Sequence, residues 1–447
     1  MSQAIVVKTD LSTTHGRRSA HVSLATFCSF EAVFLLFLMA GRYKGDPRFQ
    51  WIAERFSLDL TVLFLGLSGV AGIVILFGRG YRLPRGAGGF MAATAALFGY
   101  MILAMLWSPG DLYAHTKALH IGVLTTWTAV ATGLIIASDR RRVERFLLLL
   151  VLFAVWLSVE SLTAHQQSGD GRSVAALGGN YLGLGRVIGP AALVALGYGL
   201  FVAKTTLGRT LGLATAALFG FVLLILGGRM PLLATFAGSM VPIFLAASSA
   251  SANRHRRAMW AYAALLIVAG ITTLYLGYSE QAPQTLRRMA GLFQSDWGNS
   301  SYTRTQYCQA ALEYWWQRPY IGHGLGSWPV LHFQIDQRAY PHNLLLEILV
   351  ELGLCGLGLL AWLFVTAKRS LGTTARIAAD PLRVIVLMVA VNALANAMVS
   401  GDIPDNRFLF GALGLMLLPK LDTYRVLLRK SSDLVSHASE RSERRDG

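Results

Sequence analysis

Five side chains of this 447-residue chain carry its reactive potential: His342 and the arginines Arg186, Arg229, Arg288 and Arg304. His342 stands where a long polar insert gives way to the apolar run LLLEILVELGLCGLGLLAWLFVTA. A histidine so placed sits at a water–lipid boundary, anchored by a helix yet within reach of a hydrophilic cavity. Its ordinary pKa of about 6.5 lets it take or give a proton near neutrality. Arg186 follows Gly183-Leu184-Gly185 at the start of an apolar run, Arg229 lies in the tight turn Gly227-Gly228-Arg229-Met230-Pro231, and Arg288 and Arg304 belong to the insert. A planar guanidinium grips phosphate through two parallel hydrogen bonds. A diphosphate held at membrane depth needs such partners, because burying it unpaired is very costly. Arg287 adjoins Arg288. The sequence offers no physical reason to prefer either, and Arg288 is the one carried forward.

Each of these residues also has a plain structural reading. A lone histidine at a helix start is more often a packing residue than a catalyst. Arg229 could snorkel to lipid headgroups, and Arg287, Arg288 and Arg318 could form a solvated loop face. Trp297, Trp315, Trp316 and Trp328 read as an interfacial belt and packing rather than a nucleic-acid platform. Gly322-His323-Gly324-Leu325-Gly326 follows no strand and opens no clear helix, so it is a weak match to a phosphate-binding loop. Thr305–Gln317 has helical spacing and reads as a short helix on the membrane surface. Glu347 and Glu351, one turn apart in an apolar run, need partners. Structural pairing with a buried arginine or a backbone group is favoured over catalysis. On an ideal helix Gly353 lies about three turns below His342 on the same face. Gly353 and Gly356 would there let another backbone approach.

The elements that must position these residues are membrane helices. The chain is 54% hydrophobic and 14% charged, with mean hydropathy +0.49. Apolar runs of about 18 or more residues recur along it, the signature of a polytopic all-α membrane protein rather than of soluble domains or a transmembrane barrel. About twelve spans are expected. The first nine fall near Val22–Ala40, Leu58–Phe77, Phe90–Trp107, Ala118–Ala137, Phe146–Leu162, Val187–Ala203, Leu211–Leu226, Pro231–Ala247 and Met259–Gly277. The last three fall near Asn343–Ala367, Leu382–Ser400 and Phe408–Pro419. The resulting organisation is 1–277 (spans one to nine), 278–341 (a large outer loop with short helices), 342–419 (spans ten to twelve) and 420–447 (a tail).

The net charge of +16 need not mean nucleic acid, since Lys and Arg set membrane orientation and touch anionic lipid. Arg79, Arg82, Arg85, Arg140, Arg141, Arg142, Arg145, Arg254, Arg256, Arg257, Lys368, Arg369 and Arg376 fall on the side of the termini, which is therefore cytoplasmic. The insert is then outside, in the periplasm of a Gram-negative cell. Arg42, Lys44, Arg48 and Arg55, between the first two spans, break the pattern. Cys28, Cys308 and Cys355 suggest no disulfide framework and no metal spacing. No Asp-x-Asp or His/Asp cluster suggests a metal site, and no cofactor is expected.

The stretch resembles the O-antigen ligases and the related O-antigen polymerase superfamily. The resemblance rests on His342-Asn343 followed, nine residues later, by Gly353-Leu354-Cys355-Gly356. It also rests on Ser301-Tyr302-Thr303-Arg304, on Trp315-Trp316-Gln317-Arg318-Pro319-Tyr320-Ile321-Gly322-His323-Gly324 and on Gly228-Arg229-Met230-Pro231. The polymerases carry two sizeable outer loops, whereas the earlier loop here, His165–Tyr181, is short, which favours the ligase. The resemblance implies a multi-pass protein of the bacterial inner membrane with its active site facing the periplasm. It implies transfer of polysaccharide from undecaprenyl diphosphate to a sugar hydroxyl of lipid A–core. His342 would be the general base and Arg229, Arg288, Arg304 and, more weakly, Arg186 the diphosphate clamp. Single-step attack would invert the anomeric carbon, and no carboxylate pair for double displacement is evident. The alternatives are a polymerase of the same superfamily and a flippase or transporter. The latter should show internal repeats and short outer loops.

Overall fold

The computed structural model describes residues 24–78, 84, 86–168, 174–248, 270–271, 275, 279, 282–291 and 298–419. Among them the structure is helical, apart from one isolated bridge between Ala176 and Gly179. The helices that carry the architecture begin with α1 (Phe30–Met39), α2 (Leu60–Gly78), α3 (Ala87–Trp107), α4 (Leu112–Ile136) and α5 (Arg140–Gln167). There follow α6 (Tyr181–Val202), α7 (Thr206–Ile225) and α8 (Arg229–Ser248). The insert contributes α9 (Gln284–Ala290), α10 (Gly298–Gln317) and α11 (Trp328–Phe333). Last come α12 (Leu344–Leu371), α13 (Pro381–Ala397) and α14 (Arg407–Leu415).

Eight of these, α2 to α8 and α12, are long and apolar enough to cross a membrane. Four expected spans are not among these eight. The first is interrupted: a short helix ends at Phe27, and Ser29 caps α1 by accepting from the Ala32 N–H. The ninth, Met259–Gly277, lies almost wholly outside the described residues. α13 has 17 residues and α14 only 9.

α12 departs most from expectation. Asn343 starts it, its side-chain oxygen accepting from the Leu345 and Leu346 N–H groups at 3.0 and 3.1 Å. Its interior then breaks at Gly353, where φ is +64° and ψ −160°. The glycine-containing loop after α10 fills the break. The His323 and Gly324 N–H groups donate to the Val350 and Glu351 carbonyls at 2.8 and 2.9 Å. The Leu354 and Cys355 N–H groups donate to the Pro319 and Tyr320 carbonyls at 2.8 and 3.0 Å. Backbone groups orphaned by the kink are thus satisfied by the loop. A Cβ on either Gly322 or Gly353 would collide with the opposing backbone. Two readings change. Gly353 is not on one continuous helix beneath His342, and the glycine loop is a backbone splice rather than a phosphate cradle. The expected close backbone approach at Gly353 is this loop.

The insert is bolted to the bundle at several points. The Asp336 carboxylate accepts from the Asp111, Leu112 and Tyr113 N–H groups at 3.1, 2.6 and 3.3 Å, neutralising the start of α4. Arg338 pairs with Asp402 at 3.0 Å and Asp405 at 2.6 Å, and the Asn343 side chain donates to the Met398 carbonyl at 3.0 Å. Trp328 is fully buried and packs with Ala311 and Val350 between α10, α11 and α12, whereas Trp316 is 70% exposed. Trp297 lies outside the described residues.

Glu347 and Glu351 are fully buried, and their partner is a lysine rather than an arginine. Lys117 of α4 reaches Glu347 at 2.5 Å and both Glu351 oxygens at 2.7 Å, with the Ile403 N–H donating to Glu347 at 3.3 Å. The basic residues between the first two spans also find local anions. Lys44 pairs with Asp59 at 2.5 Å, and Arg48 pairs with Asp46 and Glu160, each at 2.9 Å. At the opposite end of the bundle Arg140 pairs with Asp380 at 2.7 Å, and Arg142 and Arg145 pair with Glu31 at 2.8 and 3.0 Å.

Candidate active site

His342 is the residue before the cap of α12, and it is held in an unusual backbone state. Its φ is +59°, a left-handed conformation that a histidine adopts only at a cost. The segment enters from Pro341 and must turn sharply so that Asn343 can cap the helix. This swings the half-buried imidazole between two aromatic rings. Tyr307 of α10 stacks on it at 6.1 Å and 3°, and Tyr340 meets it edge-on at 4.6 Å and 67°. The imidazole Nδ1 is buried with no hydrogen-bond partner among the described residues. Burial, then the charges of Arg304 and Arg186, lower the His342 pKa to about 4. The ring is therefore neutral at physiological pH and keeps a lone pair.

Three of the candidate arginines gather on one side. The turn at Gly227-Gly228 places Arg229 as the first residue of α8. The start of α9 is latched over that turn: the Gly227 N–H donates to Thr285 Oγ1 at 2.9 Å, and that hydroxyl donates to the Leu223 carbonyl at 3.1 Å. Arg229 then donates to the Arg288 carbonyl at 3.1 Å, and the Arg288 guanidinium donates to the Gly227 carbonyl at 2.7 Å while lying over the Tyr181 ring at 5.6 Å. Arg288 and Arg304 are the positive charges that act on Arg229, and Arg304 in turn acts on His342. Arg287, by contrast, is exposed. The structure thus supplies the physical distinction between Arg287 and Arg288 that the sequence lacks.

Arg186 is placed elsewhere. It donates to the Ser400 carbonyl and, at 3.3 Å, to the Asn396 carbonyl, and it shares its surroundings with Arg42, Asp402, Asp405 and Tyr340. It reaches His342 electrostatically. His342 therefore feels one arginine from each of two groups. Tyr307 and Tyr340 were not legible as site residues. Tyr307 lies three positions after Arg304 on a stripe that reads as packing, and Tyr340 is two positions before His342. Arg42 did leave a trace, as part of the exception to the charge pattern. Among the described residues, no group of three His, Cys, Asp or Glu side chains is arranged to hold a metal ion.

Chemically, the arrangement offers a neutral proton acceptor under guanidinium charge, at the junction of the insert with a helix long and apolar enough to cross a membrane. No curated protein matches the chain. Residues 214–363 match a family described as O-antigen ligase, a window that runs from α7 through the insert into the second half of α12 and contains Arg229, Arg288, Arg304 and His342. That match covers the segment that builds the site.

Proposed function

We propose that this protein is an O-antigen ligase. It transfers a polysaccharide from undecaprenyl diphosphate to a sugar hydroxyl of lipid A–core at the periplasmic face of the bacterial inner membrane. The observation that carries this reading is the imidazole of His342, its buried Nδ1 without a hydrogen-bond partner among the described residues, under the charge of Arg304, which also acts on Arg229 beside Arg288. The acceptor O–H gives its proton to His342 as its oxygen attacks the anomeric carbon. The bond from that carbon to the diphosphate oxygen breaks, and its electron pair leaves on the diphosphate. The guanidinium groups stabilise the charge that develops there. The attack is a single displacement, so the anomeric carbon inverts, and the arginines do the electrostatic work that a divalent cation does elsewhere.

The His342 pKa fits this cycle in two stages. Without donor, burial and then the arginine field keep the imidazole a weak base. A bound diphosphate offsets that field, so the imidazole becomes a stronger base when the donor is in place. In this reading residues 278–341 form the periplasmic unit and the termini are cytoplasmic. The experiment that separates ligase from polymerase is lipopolysaccharide from a deletion strain run on a gel. Loss of the O-antigen ladder with undecaprenyl-linked polymer still made supports the ligase, and loss of the polymer itself supports the polymerase.

A further inference from the structure

The second group of arginines borders a cavity of about 1150 Å³. Arg42 follows α1, Arg186 projects from the first turns of α6, and Arg407 begins α14. Arg42 lies against Gly183, where any Cβ would strike its guanidinium, and Arg407 lies beside Gly41 and over the Phe37 ring at 5.7 Å. Arg42 acts electrostatically on both Arg186 and Arg407. The nearby carboxylates are committed. Asp402 accepts from Arg338 and from the Tyr113 hydroxyl, and Asp405 pairs with Arg338 at 2.6 Å. Of the four arginines of the lining (Arg42, Arg186, Arg338 and Arg407), Arg338 is paired with Asp402 and Asp405, whereas Arg42, Arg186 and Arg407 form no ion pair among the described residues. The opposite wall is apolar, with Leu38, Leu65 and Val123, and with Val62 and Leu119 more than half exposed on the outer surface.

We propose that this cavity is a second anion site, which takes the phosphorylated headgroup of a glycolipid through Arg42, Arg186 and Arg407 while the apolar wall receives its chains. Half-buried guanidinium groups without an ion-pair partner are unfavourable without a counter-anion, and a phosphate offers acceptors to several of them at once. The joined arginine head and apolar wall fit a phosphate that arrives on a lipid rather than free in solution. Resting on the ligase reading, the occupant is the acceptor. Two phosphorylated lipids must meet at one base, and Arg304 and Arg186, from the two arginine groups, both act on His342. The group at Arg229 holds the donor diphosphate, and the group at Arg42 holds a phosphate of lipid A.

The test is binding of lipid A and of undecaprenyl diphosphate, each followed by mass spectrometry of the intact complex, to the full-length protein and to its Arg42→Gln and Arg407→Gln variants. Losing one charge-assisted contact should weaken lipid A by roughly tenfold or more and leave undecaprenyl diphosphate within about twofold. Hydrogen exchange of the wild-type protein supplies a measurement that needs no variant: lipid A should slow exchange at residues 40–43 and 404–408. Unchanged lipid A affinity in both variants, weakening of undecaprenyl diphosphate alone, or unchanged exchange at both segments overturns this placement. Wild-type protein that binds neither lipid contradicts the ligase reading itself.

Discussion

At the scale of single residues, the account turns on how His342 is kept neutral and how its neighbours share charge. A base whose pKa lies at about 4 should leave kcat/KM, which reports the free enzyme, flat down to well below pH 6. The acid limb of kcat, which reports the complex, should sit higher, because the diphosphate offsets Arg304. Arg304→Gln removes one of the charges that depress the imidazole, so it should move the kcat/KM limb upward, toward about 6.5. A limb unchanged by that substitution would dissociate Arg304 from His342. The clamp arginines make a different prediction. Arg229→Lys and Arg288→Lys should stay inactive with weakened donor binding, because lysine cannot reproduce a bidentate fork. Full activity in both variants would reduce them to ordinary cations. The sequence already showed which residue types could perform this chemistry. It could not show the φ of His342 or its aromatic clamp, since both arise from how the insert folds back onto α12.

At the scale of elements, the kinked helix α12 and its fixings set the site. The break at Gly353 is held open by the loop from Pro319 to Gly324, and the Lys117–Glu347–Glu351 cluster pins the half above the break to α4. Lys117→Met leaves carboxylates buried without their cation and should destabilise the protein by about 3–5 kcal/mol. The triple variant Lys117→Met, Glu347→Gln, Glu351→Gln should recover much of that loss. Thermal unfolding in detergent checks both, and a triple variant as unstable as the single one would contradict the pairing. The two carboxylates announced in the sequence that they needed a partner. Their spacing could not name Lys117, more than two hundred residues away, because such a contact depends on helix packing. The kink was hidden for a related reason. A Gly inside an apolar run is common in membrane helices, and only the loop's hydrogen bonds distinguish a splice from a straight span.

At the scale of the whole molecule, the apolar runs made the helical class and the late insert legible, and the expected spans fall on α2 to α8 with ends that differ by up to six residues. The first and last spans were harder, because hydropathy does not register the Ser29 cap or the brevity of α14. All the site residues and the cavity lie at one end of the bundle, and Arg140, Arg142 and Arg145 lie at the other. With the charge bias, this predicts that the insert is outside the cytoplasm. In a background where Cys28, Cys308 and Cys355 are changed to Ser, an Asn299→Cys variant should react with an impermeant thiol reagent in intact spheroplasts. Reaction only after the membrane is opened would invert the topology. The arginine clamp further predicts that purified enzyme transfers in excess EDTA, and activity restored only by magnesium or manganese would refute it.

The most direct test of the central claim is single-turnover transfer by purified His342→Ala, with undecaprenyl-linked polysaccharide as donor and lipid A–core as acceptor, measured beside donor binding. Removing the base should slow transfer by about 10²–10⁴ while donor affinity stays near that of the wild type, because His342 meets the acceptor hydroxyl and not the diphosphate. Transfer at close to the wild-type rate would contradict the account.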